Sequence, residues 1–102
     1  MYVQFGTVMN FVWEDAKNRR NKTKHKVSFE TAVLVFEDPH ALSVLDRVVE
    51  GEERWQTLGL MEGVVVLLVA HAWFVEDGEE WIRVLSARKA TRRERELYEQ
   101  GE

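Results

Sequence analysis

A chain of 102 residues, 45% hydrophobic and 31% charged, holds enough apolar material for one modest core and too little length for two, so residues 1–102 are read as a single domain. The absence of cysteine excludes disulfides and thiolate metal sites. The net charge of −4 hides two basic stretches, Lys17 to Lys26 and Arg83 to Arg95, so an acidic balance does not exclude a nucleic-acid-binding face.

Residues 1–9 carry little pattern and are treated as an N-terminal extension, either flexible or ordered. Phe11-Val12-Trp13 reads as a first short strand. Glu14-Asp15 then place negative charge at the start of a helix running from Ala16 to about Lys24. That helix has almost no apolar stripe, which leaves its cations open to a partner. Ser28 is the expected N-cap of a second helix, whose Phe29, Ala32, Val33 and Phe36 recur at helical spacing and mark a buried face. Asp38-Pro39 ends it.

From Ala41 the period changes to two. Strands are expected over 41–46, 54–60, 64–74 and 81–87, with a loop at Glu50-Gly51-Glu52 and turns at Met61-Glu62-Gly63 and Glu76-Asp77-Gly78-Glu79. The apolar run from Val64 to Phe74 is too short for a membrane span and suits a strand buried on both faces. No basic segment followed by an apolar one marks a signal peptide, and a cytoplasmic location is expected. Thr91 and Glu94 stand at the spacing of a capping box, which predicts a terminal helix. The class is therefore α+β: strand, helix, helix, four further strands in a largely antiparallel sheet, and a C-terminal helix.

The three histidines are scattered, and neither a metal-binding spacing nor a Gly-rich phosphate loop is present, so no metal or cofactor is expected. The remaining candidates suit RNA cleavage without metal. Attack of a ribose 2′-OH on its phosphate needs a base, positive charge on the phosphorane oxygens and an acid for the departing 5′-oxygen. Arginine forks match phosphate oxygens in pairs, and a histidine beside cations favours its neutral form. His25, between Lys24 and Lys26, is the candidate base. Each residue also has a plainer reading. His25 could cap a helix end, Arg54 could pair with an acid of the sheet, and Arg92 could pair with Glu96 on a solvated face. The four tryptophans suit a core and Tyr98 suits an anchor beside Leu97. Arg83, inside an apolar strand, needs a partner or a purpose.

Taken together, Phe11-Val12-Trp13-Glu14-Asp15-Ala16-Lys17, Asn21-x-x-Lys24-His25, Phe29-x-x-Ala32-x-x-Val35-Phe36-x-Asp38-Pro39, Gly51-Glu52-Glu53-Arg54-Trp55, Leu58-Gly59-Leu60 and Ile82 to Thr91 with Glu94-x-x-x-Tyr98 resemble the BrnT toxins of bacterial type II toxin–antitoxin systems. The resemblance covers about residues 10 to 100. It implies a RelE-like fold and an endoribonuclease that inhibits translation. It further implies a BrnA-like ribbon-helix-helix antitoxin that neutralises the toxin, with operator DNA bound only through that antitoxin, and it allows for a dimer within a hetero-oligomeric complex. Carried onto this chain, the catalytic positions are His25 with Lys24, Arg54 with Glu53, and Arg83 with Arg88. Lys17, Arg20, Lys26, Ser86, Lys89 and Arg92 are expected to hold RNA. A non-catalytic RelE-like module that binds RNA or poisons a protein target is the alternative. The chain departs from the family at Lys26, where glycine is usual in a left-handed position that ends a helix.

Overall fold

Acid–glycine pairs punctuate the second half of the chain at Glu50-Gly51, Glu62-Gly63 and Asp77-Gly78. In the computed structural model all six residues have positive φ, between 50° and 81°. A turn with positive φ at both positions matches the twist of the strands it joins, which makes each pair a hairpin. The structure describes residues 2–5, through their backbone, and 9–101.

In these residues the strands are β1 (Tyr2–Phe5), β2 (Met9–Val12), β3 (Leu42–Val49), β4 (Glu52–Met61), β5 (Val65–Glu76) and β6 (Glu79–Lys89). They form one sheet in the order β1-β2-β6-β5-β4-β3, antiparallel throughout except where β2 runs beside β6. Tyr2–Phe5, from the stretch treated as an extension, pairs with β2. The rest of that stretch up to residue 8 lies outside the described residues. The first strand after it ends at Val12, and Trp13 instead packs edge-on against Phe29 at 6.1 Å.

Two layers cover the sheet. On one face lie α1 (Asp15–His25) and α2 (Phe29–Ala32), the latter continued by a 3-10 turn over Val33–Glu37. Ser28 caps α2 as expected, accepting the Thr31 N–H at 3.1 Å. The expected eight-residue helical face is not kept, and Val35 is buried while Phe36 is only half-buried. The β-branched Val33 and Val35 disfavour an α-helix, and three residues per turn set Val35 directly after Ala32. There Val35 backs onto Gly59 of β4. A Cβ on Gly59 would stand 2.6 Å from the Val35 Cβ, so only glycine lets the two backbones approach so closely.

The other face carries α3 (Arg92–Gln100), opened by the capping box of Thr91 and Glu94. Tyr98 anchors it, its hydroxyl donating to Asp38, which also accepts the Leu60 N–H at 2.8 Å. Those bonds hold the Asp38 carboxyl below the usual range against the opposing effect of burial. Covered on both sides, Val66 to Val69 of β5 are all buried. Leu67 and Val69 join Phe11, Phe29, Val33, Ile82 and Val84 beneath the first layer. Val66 and Leu68 join Leu58 and Ala90 beneath α3, whose Tyr98 packs against them.

An arginine-lined sheet face as candidate nucleic-acid site

Paired positions on neighbouring strands share a face, and the register therefore decides which predicted residues can meet. Arg54 of β4 pairs with Ala72 of β5, and Ala72 pairs with Arg83 of β6. One row on, Gln56, Ala70 and Ser86 align, followed by Leu58, Leu68 and Arg88. The last row lies under α3, while the first two lie beyond it. Small alanines on β5 leave room for long side chains to meet across the strand.

They meet on Glu52. Its Oε1 accepts from Arg54 Nε at 3.2 Å, and its Oε2 accepts from Arg83 Nη2. The bond from Arg83, with help from the charge of both arginines, holds the Glu52 carboxyl below its ordinary range although burial opposes this. The Arg83 guanidinium also lies over the Phe74 ring, 5.4 Å from its centroid, and Phe74 stacks on Trp81 at 6.2 Å with planes 12° apart. Both arginines keep about a third of their side-chain surface in water. Two rigid cations, an ionised carboxylate and an aromatic pair thus share one open face.

Glu53, expected beside Arg54, is not there. Because β4 begins at Glu52 and side chains alternate, Glu53 points to the opposite face, where its carboxylate accepts from Trp55 Nε1 at 3.1 Å. Glu52, which the sequence reading placed in a loop, takes its place. Once the strand is known to start there, the two-residue spacing of Glu52 and Arg54 is the signal for it.

α1 brings a second group. Lys17, Arg20, Lys24, His25 and Ser86 line one cleft of about 350 Å³ together with Asn21 and Leu85. The helix has no apolar face to bury, and hydrogen bonds hold it instead. Asn21, 7% exposed, donates to Ala87 O at 2.8 Å and to Val27 O at 2.9 Å, and accepts the Ala87 N–H at 3.1 Å. β2 pairs with β6 only as far as Arg83, and beyond it the Asn21 amide serves the edge of β6 as a strand would. Asn18 ties α1 to α2 by accepting the Phe29 N–H at 2.8 Å. Ser86 belongs both to this cleft and to the arginine face, so the histidine group and the arginine group flank the same strand. The register shift between Ala70 and His71 leaves Leu85 as an additional residue on β6 beside that cleft.

The other expected residues stand apart. Arg88 is committed to α3, its guanidinium bonding both oxygens of Glu94 at 2.8 and 3.0 Å. That pairing lowers Glu94 to about 2 and raises Arg88. Lys26 takes the left-handed C-cap of α1 at φ 63°, its Nζ on Thr23 O at 3.0 Å. Lys89 is exposed, and its register with Leu67 sets it on the face away from the arginines. Arg92 is exposed on α3, 3.7 Å from Glu96. Among the described residues no three His, Asp or Glu side chains gather as a metal site would require. Among the described residues no helix is long and apolar enough to cross a membrane.

Residues 13–94 match the family described as the ribonuclease toxin, BrnT, of type II toxin–antitoxin systems. The fold is similar to the 1.1 Å crystal structure of the Brucella abortus ribonuclease toxin BrnT, with a TM-score of 0.63 at 20% identity over 84% of this chain and 100% of that one. None of the curated proteins matches the chain.

Proposed function

Since the chain belongs to the BrnT family of ribonuclease toxins of type II toxin–antitoxin systems, we propose that it is a metal-independent endoribonuclease of RelE-like architecture that cuts RNA through its own 2′-hydroxyl. The observation that carries this reading is the convergence of Arg54 and Arg83 on Glu52 across β5. A scissile phosphate entering between the guanidinium groups takes the place of the carboxylate, and the arginines stabilise the charge that grows on its oxygens. Glu52, released from both cations, regains basicity beside the substrate. The 2′-OH loses its proton and attacks phosphorus, the bond to the 5′-oxygen breaks, and that oxygen takes up a proton. The products are a 2′,3′-cyclic phosphate and a 5′-hydroxyl. Glu52 and His25 are the proton carriers. Lys17, Arg20 and Lys24 guide the backbone past Ser86, and Phe74 with Trp81 offers the flanking base an aromatic surface.

Cleavage of cellular RNA by this site inhibits translation in the cytoplasm. A BrnA-like ribbon-helix-helix antitoxin encoded alongside neutralises it in a hetero-oligomeric complex that represses its own operator. The test is digestion of total RNA by the purified chain in EDTA, with the ends of the fragments identified. Fragments carrying cyclic phosphate, lost in Arg54→Ala and Arg83→Ala, are expected. RNA left intact by the unmodified protein rejects the reading.

A further inference from the structure

The face of the sheet opposite the arginines is only partly roofed. Its helical layer ends at Glu37, and beyond Phe36 a cavity of about 430 Å³ opens between Phe36, Trp55, Trp73, His71, Glu53 and Met9. The register places Leu45 opposite Trp55 and Val48 opposite Glu53, so the apolar surface continues from the cavity onto β3. These two side chains are 45% and 58% exposed. β3 is the edge strand of the sheet and has nothing packed beyond it among the described residues. Deep in the cavity His71 is 4% exposed and makes an edge-on contact with Phe36. Its Nε2 meets Thr57 Oγ1 at 2.8 Å. A bulky apolar surface that is open and has a buried imidazole at its base is the pattern of a binding pocket rather than of a finished core.

Charge states what fits it. Glu53 and Glu80 lie on this face, Glu80 pairing with Val75 and with Met9, and the two hairpin turns that close the same end of the sheet add Glu50 and Asp77 at its rim. A second copy of this chain would set carboxylates against carboxylates. A helix with large apolar residues on one side and Lys or Arg along its flanks would meet both surfaces and extend the roof where Glu37 leaves it.

We propose that this cavity and the adjoining face of β3 are where the antitoxin docks, through such a helix, on the side of the sheet opposite the arginine cluster. The proposal rests on the family reading for the existence of an antitoxin. The helix places an apolar anchor between Trp55 and Trp73 and a cation on Glu53, and RNA and antitoxin then bind different faces.

The experiment uses the full chain and the antitoxin encoded beside it, and compares Leu45→Asp/Val48→Asp with Arg54→Ala/Arg83→Ala by calorimetric titration. Both substituted positions on β3 are at the surface, so folding is retained and circular dichroism verifies it. The β3 variant is expected to bind antitoxin at least about tenfold more weakly, the arginine variant within about twofold of the unmodified chain. The β3 variant, free of antitoxin, is expected to cut RNA at the unmodified rate. Loss of antitoxin binding in the arginine variant alone, no loss in either, or no binding by the unmodified chain overturns the proposal. So does a free dimer that the β3 substitutions dissociate, since the occupant is then a second copy. An unmodified chain that shows the expected binding pattern yet cuts no RNA rejects the nuclease reading and upholds the docking surface.

Discussion

Glu52, at the first position of β4, accepts a hydrogen bond from Arg83 two strands away, and the same carboxylate holds Arg54 at 3.2 Å. The contact spans 31 residues of sequence and crosses β5 where only Ala72 stands between. The shared carboxylate offsets the repulsion between two cations held on one face. Replacing either arginine by alanine is expected to slow RNA cleavage by about 100-fold, the usual scale for removing one group that stabilises a developing oxyanion. Glu52→Gln is expected to tighten RNA binding, because both arginines are released from a competing anion, and yet to lower the cleavage rate. Electrophoretic mobility shifts and single-turnover cleavage separate the two effects, and a variant improved in both would remove the proton-carrying role.

The Asn21 amide serves three backbone groups, one at Val27 between the helices and two at Ala87 of β6. Asn21→Ala leaves those groups buried without partners, and a stability loss of about 2 to 4 kcal/mol is expected from urea denaturation. Cleavage should fall as well, because α1 carries Lys24 and His25 to the flank of β6. Asn21→Asp should lose at least as much as alanine does, since it keeps the acceptor for the Ala87 N–H but sets a buried carboxylate against the Val27 and Ala87 carbonyl oxygens.

At Lys26 a side chain occupies left-handed backbone at φ 63°. Lys26→Gly is expected to stabilise the fold by roughly 0.5 to 1 kcal/mol, since glycine enters that region without strain. The same measurement finding a loss would show that the Lys26 contact with Thr23 outweighs the backbone gain.

Burial pushes His71 from 6.5 down to about 4, with the Ala72 backbone opposing. A folded pKa below the unfolded one means that the unfolded chain gains a proton first. Stability from this group is complete above the unfolded value near 6.5 and is lost as pH falls toward 4, by roughly 3 kcal/mol in all. Glu52, Asp38 and Glu94 are lowered as carboxylates, and their contributions fade only below pH 4.5. Urea midpoints between pH 6.5 and 5 should therefore fall in the unmodified chain and stay nearly level in His71→Gln.

Local chemistry reached much of this molecule from the sequence. The capping box at Thr91 and Glu94, the Ser28 cap, the acid–glycine hairpins and the doubly covered β5 each depend on residues a few positions apart, and neighbours in sequence fix them. The same held for α1 as a helix without an apolar stripe and for the family pattern itself. Two kinds of relationship needed the tertiary structure. One is strand phase: starting β4 at Glu52 reverses which of Glu52 and Glu53 faces the arginines, because each one-residue shift exchanges the two faces of a sheet. The other is contact at long separation. That Asn21 would stand in for a missing strand on β6, that Arg88 would be taken by Glu94, and that the helical layer would stop short of Trp55 and Trp73 follow only from how the elements are stacked. Backbone groups and charges take whichever partner the packed chain brings near, and no spacing along the sequence records that choice.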